Sequence, residues 1–442
     1  MDQKIRNKSF LPAKNDVDLI KMKLLTITNS DTIGGAARIA FRIHTALTSK
    51  GIDSKMLVIY KNSNDDNVIS KSETIRKNKL IRFYYNLIFK VVKKYHQLNW
   101  SKYTVNEDAY LSGIFSLPPA KLIQKFEFDI LQIHWINGLH FNLVELKAIK
   151  RPIVWTLHDC WAFTGVCHYF YNCNNYEKTC GSCPFLNSNH AKDLSYINWK
   201  KKKEIYDSLD LRIITPSNWL AEAARRSSLL SRFQVTVIPN LINTHLFSPG
   251  DGTLAYSALG LDSNKIYMLF SAMKVFDDKN KGFEKLKEAL NYLKNGIRYL
   301  NLELLVIGSG TPPKTWLSDI PAKFLGTYDK DDFMVLAYRV ATLTIVPSFP
   351  ENLSNTIMES MACGTPVVAF DTGGNNDLVD HKINGYLAVP FAPEDLANGI
   401  LWCIDKNHNR ELSDRVREKV IKNFTVEKIT DRYKEIYYSI IG

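Results

Sequence analysis

Residues 346–370, VPSFPENLSNTIMESMACGTPVVAF, read as the end of a strand, a loop, a helix, a tight turn and a second strand. Val346 closes the apolar run ATLTIV, and Pro347, Ser348 and Pro350 break it into a loop. Ser354 or Asn352 caps a helix carrying Ile357, Met358 and Met361. Gly364 stands where a helix C-terminal cap is expected, Pro366 stops any continuation, and Val367 to Phe370 is a buried-strand run. A loop that leaves a strand and opens a helix presents free backbone N–H groups at the mouth of an α/β sheet, where anions bind.

Two carboxylates punctuate the stretch, Glu351 and Glu359, eight positions apart. On a continuous helix that spacing is about 12 Å of rise, against roughly 5–9.5 Å for a carboxylate pair flanking one glycosidic bond. An extended ligand gripped at two points suits it better, although two charges on a solvated helix face would give the same spacing. The surrounding words tip the balance: PS at 347–348, PEN at 350–352, ACGTPVVA at 362–369 and TGG at 372–374.

Together they resemble the second-domain signature of retaining glycosyltransferases of family GT4, which have the GT-B fold. The resemblance implies an α/β protein of two Rossmann-like domains, each with a parallel sheet, facing a central cleft. It implies that Glu351 contacts the donor sugar and Glu359 the nucleotide ribose. Backbone around Asn352, Leu353, Ser354 and Asn355 would lie near the sugar and diphosphate, and the Gly373-Gly374 loop at the donor sugar.

At 442 residues the chain exceeds the usual size of a single core, so two domains are expected. The first twenty residues hold no apolar block of a secretory signal, and no run approaches the roughly 18 apolar residues of a membrane span. The expectation is a cytoplasmic protein. Its net charge of +12 favours acidic partners: nucleotide phosphates, anionic lipid or nucleic acid.

The expected layout is a tail at 1–20, a first domain at 21–240, a linker at 241–262, a second domain at 263–424 and a final helix at 425–442. MKLLTITNS (22–30) is a first buried strand, and Gly34-Gly35 follows it at the opening of a helix. Such a pair is either a plain turn or a place where backbone approaches a ligand closely. It resembles the GT4 first-domain loop at the donor phosphates or acceptor, with Arg38 one turn on. Strands ending in His134 and His158 put imidazoles at the ligand edge of a parallel sheet, with His140 a weaker candidate. His158, with Asp159 beside it, matches the family's T-x-H-D histidine near the donor sugar.

Two segments of the first half need separate accounts. Residues 71–103 contain a basic amphipathic stretch, RKNKLIRFYYNLIFKVVKK (76–94), with Lys77, Lys79, Arg82, Lys90, Lys93 and Lys94 among its charges, whose apolar side either packs on its own domain or enters a membrane interface. Residues 160–184 carry Cys167, Cys173, Cys180 and Cys183. Four cysteines so close in a cytosolic chain suit a structural zinc, with disulfides or buried thiols as the alternatives. A subset of GT4 enzymes of the polysaccharide and colanic-acid type carries a similar insert.

In the second half Lys281-Gly282 fits the end of the family's G-R…K-G pattern, in which Arg and Lys grip the diphosphate. Ala272, Met273 and Lys274 stand where its arginine falls, so Lys274 is the candidate replacement, a point charge in place of a bidentate fork. LELLVIGSG (302–310) is a strand running into a glycine loop, placing Gly308 against a nucleotide.

The function expected is retaining sugar transfer from a nucleotide-diphosphate sugar to a glycan or lipid-linked saccharide in surface polysaccharide biosynthesis. His158, Glu351 and Lys281 would serve the reacting centre, with no catalytic metal. Nucleic acid is not an expected partner, because the basic residues gather in one amphipathic segment and not in a stripe with stacking aromatics. Two alternatives stay open. One is a sugar phosphorylase or DNA-modifying sugar transferase on the same fold. The other is a non-catalytic membrane-associated member of a polysaccharide-assembly complex, which the absent arginine would favour.

Overall fold

Short runs of Leu, Ile and Val, buried on both faces, become parallel strands, and most are followed by a helix that returns the chain to the same edge. The computed structural model describes residues 22–72, 79–104, 123–137, 141–293, 301–310, 320–328, 330–406 and 411–441. The expected tail, Lys77 and His140 lie outside the described residues.

The first sheet comprises β1 (Lys23–Ser30), β2 (Asp53–Tyr60), β3 (Val68–Ser70), β4 (Ile130–Ile133), β5 (Ile153–Thr156), β6 (Leu211–Thr215) and β7 (Val235–Val237). Its order is β3-β2-β1-β4-β5-β6-β7, all parallel. The second sheet comprises β8 (Ile266–Lys274), β9 (Leu302–Ser309), β10 (Ala322–Gly326), β11 (Leu343–Val346), β12 (Val367–Phe370) and β13 (Gly385–Ala388). Its order, β10-β9-β8-β11-β12-β13, is also parallel throughout.

Both sheets reverse their winding beside the first strand, between β1 and β4 and between β8 and β11. At such switch points the loops on the two sides diverge and leave a crevice at the carboxyl ends of the strands. The loops that end β1, β4, β8 and β11 carry Gly34-Gly35, His134, Lys281 and Glu351 respectively. The two domains present their crevices to each other, as the contacts below establish.

The final helix, Val426–Ile441, packs into the first domain. Its Tyr433 hydroxyl lies 3.2 Å from Thr156 Oγ1, and Tyr437 donates to Gln132 Oε1 at 2.8 Å. Two buried phenols on buried polar partners satisfy groups that would otherwise be costly in the core.

Several elements differ from the sequence reading. Gly252–Leu259, inside the expected 241–262 linker, is a helix packed on the helix Asp331–Val340. Asp251 caps it by accepting from Thr253 N at 2.8 Å, and Gly260 ends it in the left-handed region at φ 61. Good caps override the Pro/Gly composition that suggests a linker. The helix Glu411–Asn423 and the strand β3 also lack any counterpart in that reading. Lys71, the expected start of the basic surface segment, is only 2% exposed and lies over the Phe141 ring at 5.4 Å, where a cation–π contact supports it.

Candidate functional site

Gly34 caps the helix Gly35–Ser49 with φ 93, a backbone state that side chains resist and glycine adopts freely. Across the cleft, Ser354 caps the helix Asn355–Ala362, its hydroxyl accepting from Ile357 N at 3.4 Å. The two helix N-termini meet: a Cβ on Gly35 would sit 3.4 Å from Asn355 Nδ2. Asn240 Nδ2 holds the other side of that amide, 3.2 Å from Asn355 Oδ1. Two helix dipoles thus point their positive ends at one place, a site for negative charge.

Lys281 and Glu351 form an ion pair beside it, both side chains partly exposed. Burial raises the Glu351 carboxyl, but the Lys281 ammonium and hydrogen bonds from Ser354 and Ser348 outweigh it and hold the acid below its ordinary range. Burial lowers Lys281 in turn, and the Glu351 charge more than reverses that. The pair is therefore charged at neutral pH, a carboxylate and an ammonium at the cleft mouth.

Asn352 is 5% exposed and ties this loop to the first domain. Its Nδ2 donates to the Leu157 carbonyl at 3.3 Å, and its Oδ1 accepts from Ser217 Oγ at 2.7 Å. Leu157 directly precedes His158, so the glutamate loop and the histidine end of β5 are neighbours. Gly373 and Gly374 are glycines because a Cβ on either would overlap the carbonyl oxygens of Glu351 and Asn352. Gly374 N also donates to the Glu351 carbonyl at 2.9 Å. The glycine pair thus supports the glutamate loop from beneath. Leu353, 8% exposed, belongs to the second domain's core.

Glu359, eight positions on, is 7% exposed and faces the first domain. Burial, together with Asp331, raises its carboxyl, while Arg42 acts against the rise. Arg42 Nη2 lies 3.1 Å from Glu359 and 3.2 Å from Asp331, and Tyr338 donates to Glu359 at 3.3 Å. Arg38 reaches Asp331 at 3.8 Å.

Two candidates stand apart from this group. Lys274 is exposed and ends β8, its backbone in register with Ser309. Gly308, φ 145, has a packing reason for its identity, since a Cβ there would overlap the Ala272 carbonyl.

The sequence reading passed over Arg42, Tyr169, Tyr171 and Asp377. Burial, with the nearby Glu351 charge, raises the Tyr169 phenol, and the backbone at Asn352 acts against that rise. Tyr171 donates to Asn280 Oδ1 at 2.6 Å, and Asp377 accepts from Asn218 N and Nδ2 at 2.6 and 2.9 Å. Arg42 alone left a trace in the sequence, four positions after Arg38 on the same helix face.

Tyr169 and Tyr171 belong to the cysteine-rich insert. Cys167, Cys173, Cys180 and Cys183 are all free thiols and line one cavity with Phe170 and Tyr176. Burial raises the Cys180 and Cys183 thiols, Cys180 to about 12, and the neighbouring backbone of Gly165 and of Phe185 and Leu186 acts against that rise. Among the described residues, no three His, Cys, Asp or Glu side chains are drawn into a metal-holding cluster. No helix among them is long and apolar enough to cross a membrane.

Comparison with known proteins agrees with this architecture. The family model described as Glycosyltransferase Family 4 matches residues 33–246, and that described as Glycosyl transferases group 1 matches residues 267–406. The chain belongs to the family 4 glycosyltransferases. The transferase is 25% identical over 355 residues to an uncharacterized glycosyltransferase of Methanocaldococcus jannaschii, covering 76% of this chain and 78% of the relative. It is 22% identical over 379 residues to the N-acetyl-alpha-D-glucosaminyl L-malate synthase of Bacillus anthracis, covering 80% and 87%. Among solved structures it is similar to sucrose-phosphate synthase from Thermosynechococcus elongatus, with TM-score 0.64, 18% identity and 95% and 99% of the two chains covered. Anabaena HepE in complex with UDP-glucose gives TM-score 0.61, 19% identity and 95% and 100% coverage. At such identities the likeness shows the fold, GT-B.

Proposed function

We propose that the transferase moves a sugar, with retention of anomeric configuration, from a nucleotide-diphosphate sugar to a glycan or lipid-linked saccharide used in surface polysaccharide assembly. The observation that carries this reading is the meeting of the helix N-termini at Gly35 and Asn355 beside Lys281. A departing nucleoside diphosphate gathers negative charge, and fixed N–H dipoles with an ammonium stabilise it as it develops. In this reading those groups serve the leaving group in place of a catalytic metal. Lys274, exposed one loop away, is a peripheral charge in this scheme.

Glu351 contacts the sugar, with Lys281 fixing its charge state, and Glu359 takes the ribose hydroxyls. His158 supports the sugar as a neutral hydrogen-bonding group, since burial lowers it to about 4. The departing phosphate can assist the acceptor hydroxyl, so the scheme assigns no separate protein base.

A polysaccharide role draws on a relative from Escherichia coli named UDP-Gal:alpha-D-GlcNAc-diphosphoundecaprenol alpha-1,3-galactosyltransferase, 21% identical over 55% of this chain and 65% of that protein. A lipid-linked acceptor of that kind also suits the exposed basic helix treated in the Discussion. The four cysteines are proposed to hold a structural zinc that stiffens the insert carrying Tyr169 and Tyr171. Burial holds these thiols protonated in the metal-free protein, so loading would release protons as the sulfurs bind.

The test is a panel of nucleotide sugars, read by thermal stabilisation and by slow donor hydrolysis. A true donor raises the melting temperature with concentration, following RT ln(1 + [L]/Kd). One nucleotide sugar should stabilise and be hydrolysed. Stabilisation without turnover across acceptors would instead support the non-catalytic reading, and no response to any of them would overturn donor binding.

A further inference from the structure

His134 and His158 end adjacent parallel strands, β4 and β5, and their rings stack with centroids 5.2 Å apart at 27°. His134 Nδ1 lies 2.9 Å from His158 Nε2, a hydrogen bond that only one of the two rings can donate. His134 is 1% exposed and held at both ends of its backbone. Its N–H donates to the Ile27 carbonyl at 3.0 Å, and its carbonyl accepts from Trp155 Nε1 at 3.1 Å. The ring therefore has a fixed place from which to orient its neighbour.

A carboxylate usually orients an active-site imidazole, and Asp159 is adjacent in sequence. Its oxygens are engaged elsewhere: by Trp135 Nε1 at 2.5 Å, Trp161 N at 2.8 Å and His168 Nδ1 at 2.6 Å. That leaves His134 as the side chain in hydrogen-bonding contact with His158 among the described residues.

The direction of the bond follows from what lies behind His134. Its Nε2 and the indole Nε1 of Trp161 are both buried without a hydrogen-bond partner among the described residues, and both side chains line the same small cavity. The indole can only donate. If His158 donated to His134, the His134 proton would sit on Nε2 and the cavity would hold two donors. A water accepting from both would then have two hydrogens to place, and the carboxylate that also lines the cavity, Asp159, already accepts from Trp135, Trp161 and His168. If His134 donates from Nδ1, its Nε2 carries a lone pair, and one water can accept from Trp161 and donate to His134. The second arrangement pairs the indole donor with an imidazole acceptor and leaves the water one hydrogen to place instead of two.

We infer that His134 is a positioning residue that donates from Nδ1 to His158 Nε2 and so holds His158 in the tautomer protonated at Nδ1. Resting on the reading of His158 as a sugar contact, this makes its free nitrogen a hydrogen-bond donor toward a sugar oxygen and excludes it as a base. Burial lowers both rings, His134 well below its ordinary value, so each is neutral and carries a single ring proton.

The experiment is a long-range 15N–1H correlation of the imidazoles in the full-length labelled protein at neutral pH, with His158 assigned by its loss in His158→Asn. His158 should show a protonated Nδ1 and an unprotonated Nε2. The opposite tautomer in the wild-type spectrum overturns the inference, whatever the enzyme transfers. His134→Phe keeps the stacked ring and volume but loses the donor. It should release the tautomer preference and lower kcat about tenfold while donor KM moves less than about twofold, the scale of one neutral hydrogen bond. His134→Asn restores an N–H near Nδ1 and should recover most of the tautomer signal and turnover. Equal loss in both variants would mark His134 as packing alone and overturn the assignment. Absence of wild-type turnover with every donor would sink the sugar-transfer reading and leave the tautomer to be read independently.

Discussion

Arg42 of the first domain holds Glu359 of the second at 3.1 Å, and with it the carboxylate assigned to the ribose. Arg42 lies on the helix that Gly35 opens, so the contact between the domains and the proposed nucleotide site share one ion pair. Burial, with Asp331, raises the Glu359 carboxyl, and Arg42 is the main force against that rise. Removing the cation in Arg42→Ala lets the carboxyl titrate at a still higher pH. On acidification, donor KM of this variant should therefore begin to rise at a higher pH than donor KM of the wild type. Parallel pH profiles for the two proteins would detach Arg42 from the site.

The two glutamates should separate kinetically. If Glu359 holds the ribose as proposed, Glu359→Ala loses a contact made in ground and transition states alike, so donor KM rises and kcat changes little. Glu351→Ala loses a contact at the reacting sugar and should lower kcat chiefly. A hydrogen bond to a charged group is worth about 1.5–3 kcal/mol, hence roughly ten- to hundred-fold in each case. Wild-type parameters in both variants would remove the site assignment.

Stability should depend on pH through Lys281 and Glu351. The acid is held below its ordinary value of 4.5, so its contribution is complete above about 4.5 and fades as pH falls through the lower folded value. Lys281 is raised above 10.5, so its contribution is complete below that and fades as pH climbs through the higher folded value. Glu351→Gln leaves a partly buried ammonium unpaired and should unfold at lower urea at pH 7. Its stability should also lack the wild type's decline on acidification below pH 4.5. An acid limb identical to the wild type would show that other carboxylates carry it.

Which parts were legible in the sequence follows from how local their signals are. Buried strands such as LLTIT and VVAF announce themselves, because a parallel strand is apolar on both faces. Ser217 and Ser354 are legible as caps for the same reason: the bond closes within three residues. Ser217 also bonds Asn352, 135 positions away, and nothing local predicts that. Arg42, Tyr169 and Asp377 act across the cleft and read as ordinary surface residues until the domains are brought together. Gly308 carries the opposite lesson. A glycine after a strand suggests a ligand, yet close approach of the Ala272 backbone already requires it.

The cysteine insert can be tested without activity. From Leu157 to Asp193 the chain has only short 3-10 turns, and Tyr171, Cys180, Ser182 and Asn187 hold positive φ values. Strained backbone persists where its surroundings over-determine it, and a zinc held by the four cysteines would add to the packing of Phe170, Tyr176 and Phe185. Elemental analysis of purified protein should find about one zinc per chain, as four-cysteine structural sites bind it. Chelation should lower the melting temperature and expose reactive thiols. Metal-free protein with four titratable thiols would leave the cavity packed by neutral cysteines.

The helix Lys79–Trp100 gives the last prediction. Phe83, Leu87, Val91, Tyr95 and Leu98 are 66, 51, 61, 49 and 58% exposed, spaced by four, four, four and three residues along one side. An apolar stripe of this length on a water-facing helix is unusual for a surface that meets water alone. Lys90, Lys93 and Lys94 are exposed on the same helix. Apolar side chains interleaved with lysines suit the headgroup boundary of an anionic leaflet, where a lipid-linked acceptor would also lie. Each lysine adds about 1 kcal/mol of attraction, screened by salt. Binding to phosphatidylglycerol vesicles should therefore weaken steeply between low and physiological salt, and further on reversing Lys90, Lys93 and Lys94 to Glu. Leu87→Ser with Val91→Ser should reduce the binding that remains at high salt, while turnover of a soluble acceptor persists in both variants. Indifference to anionic vesicles at low salt would mean that the stripe serves some other contact, and the acceptor would have to reach the cleft unaided.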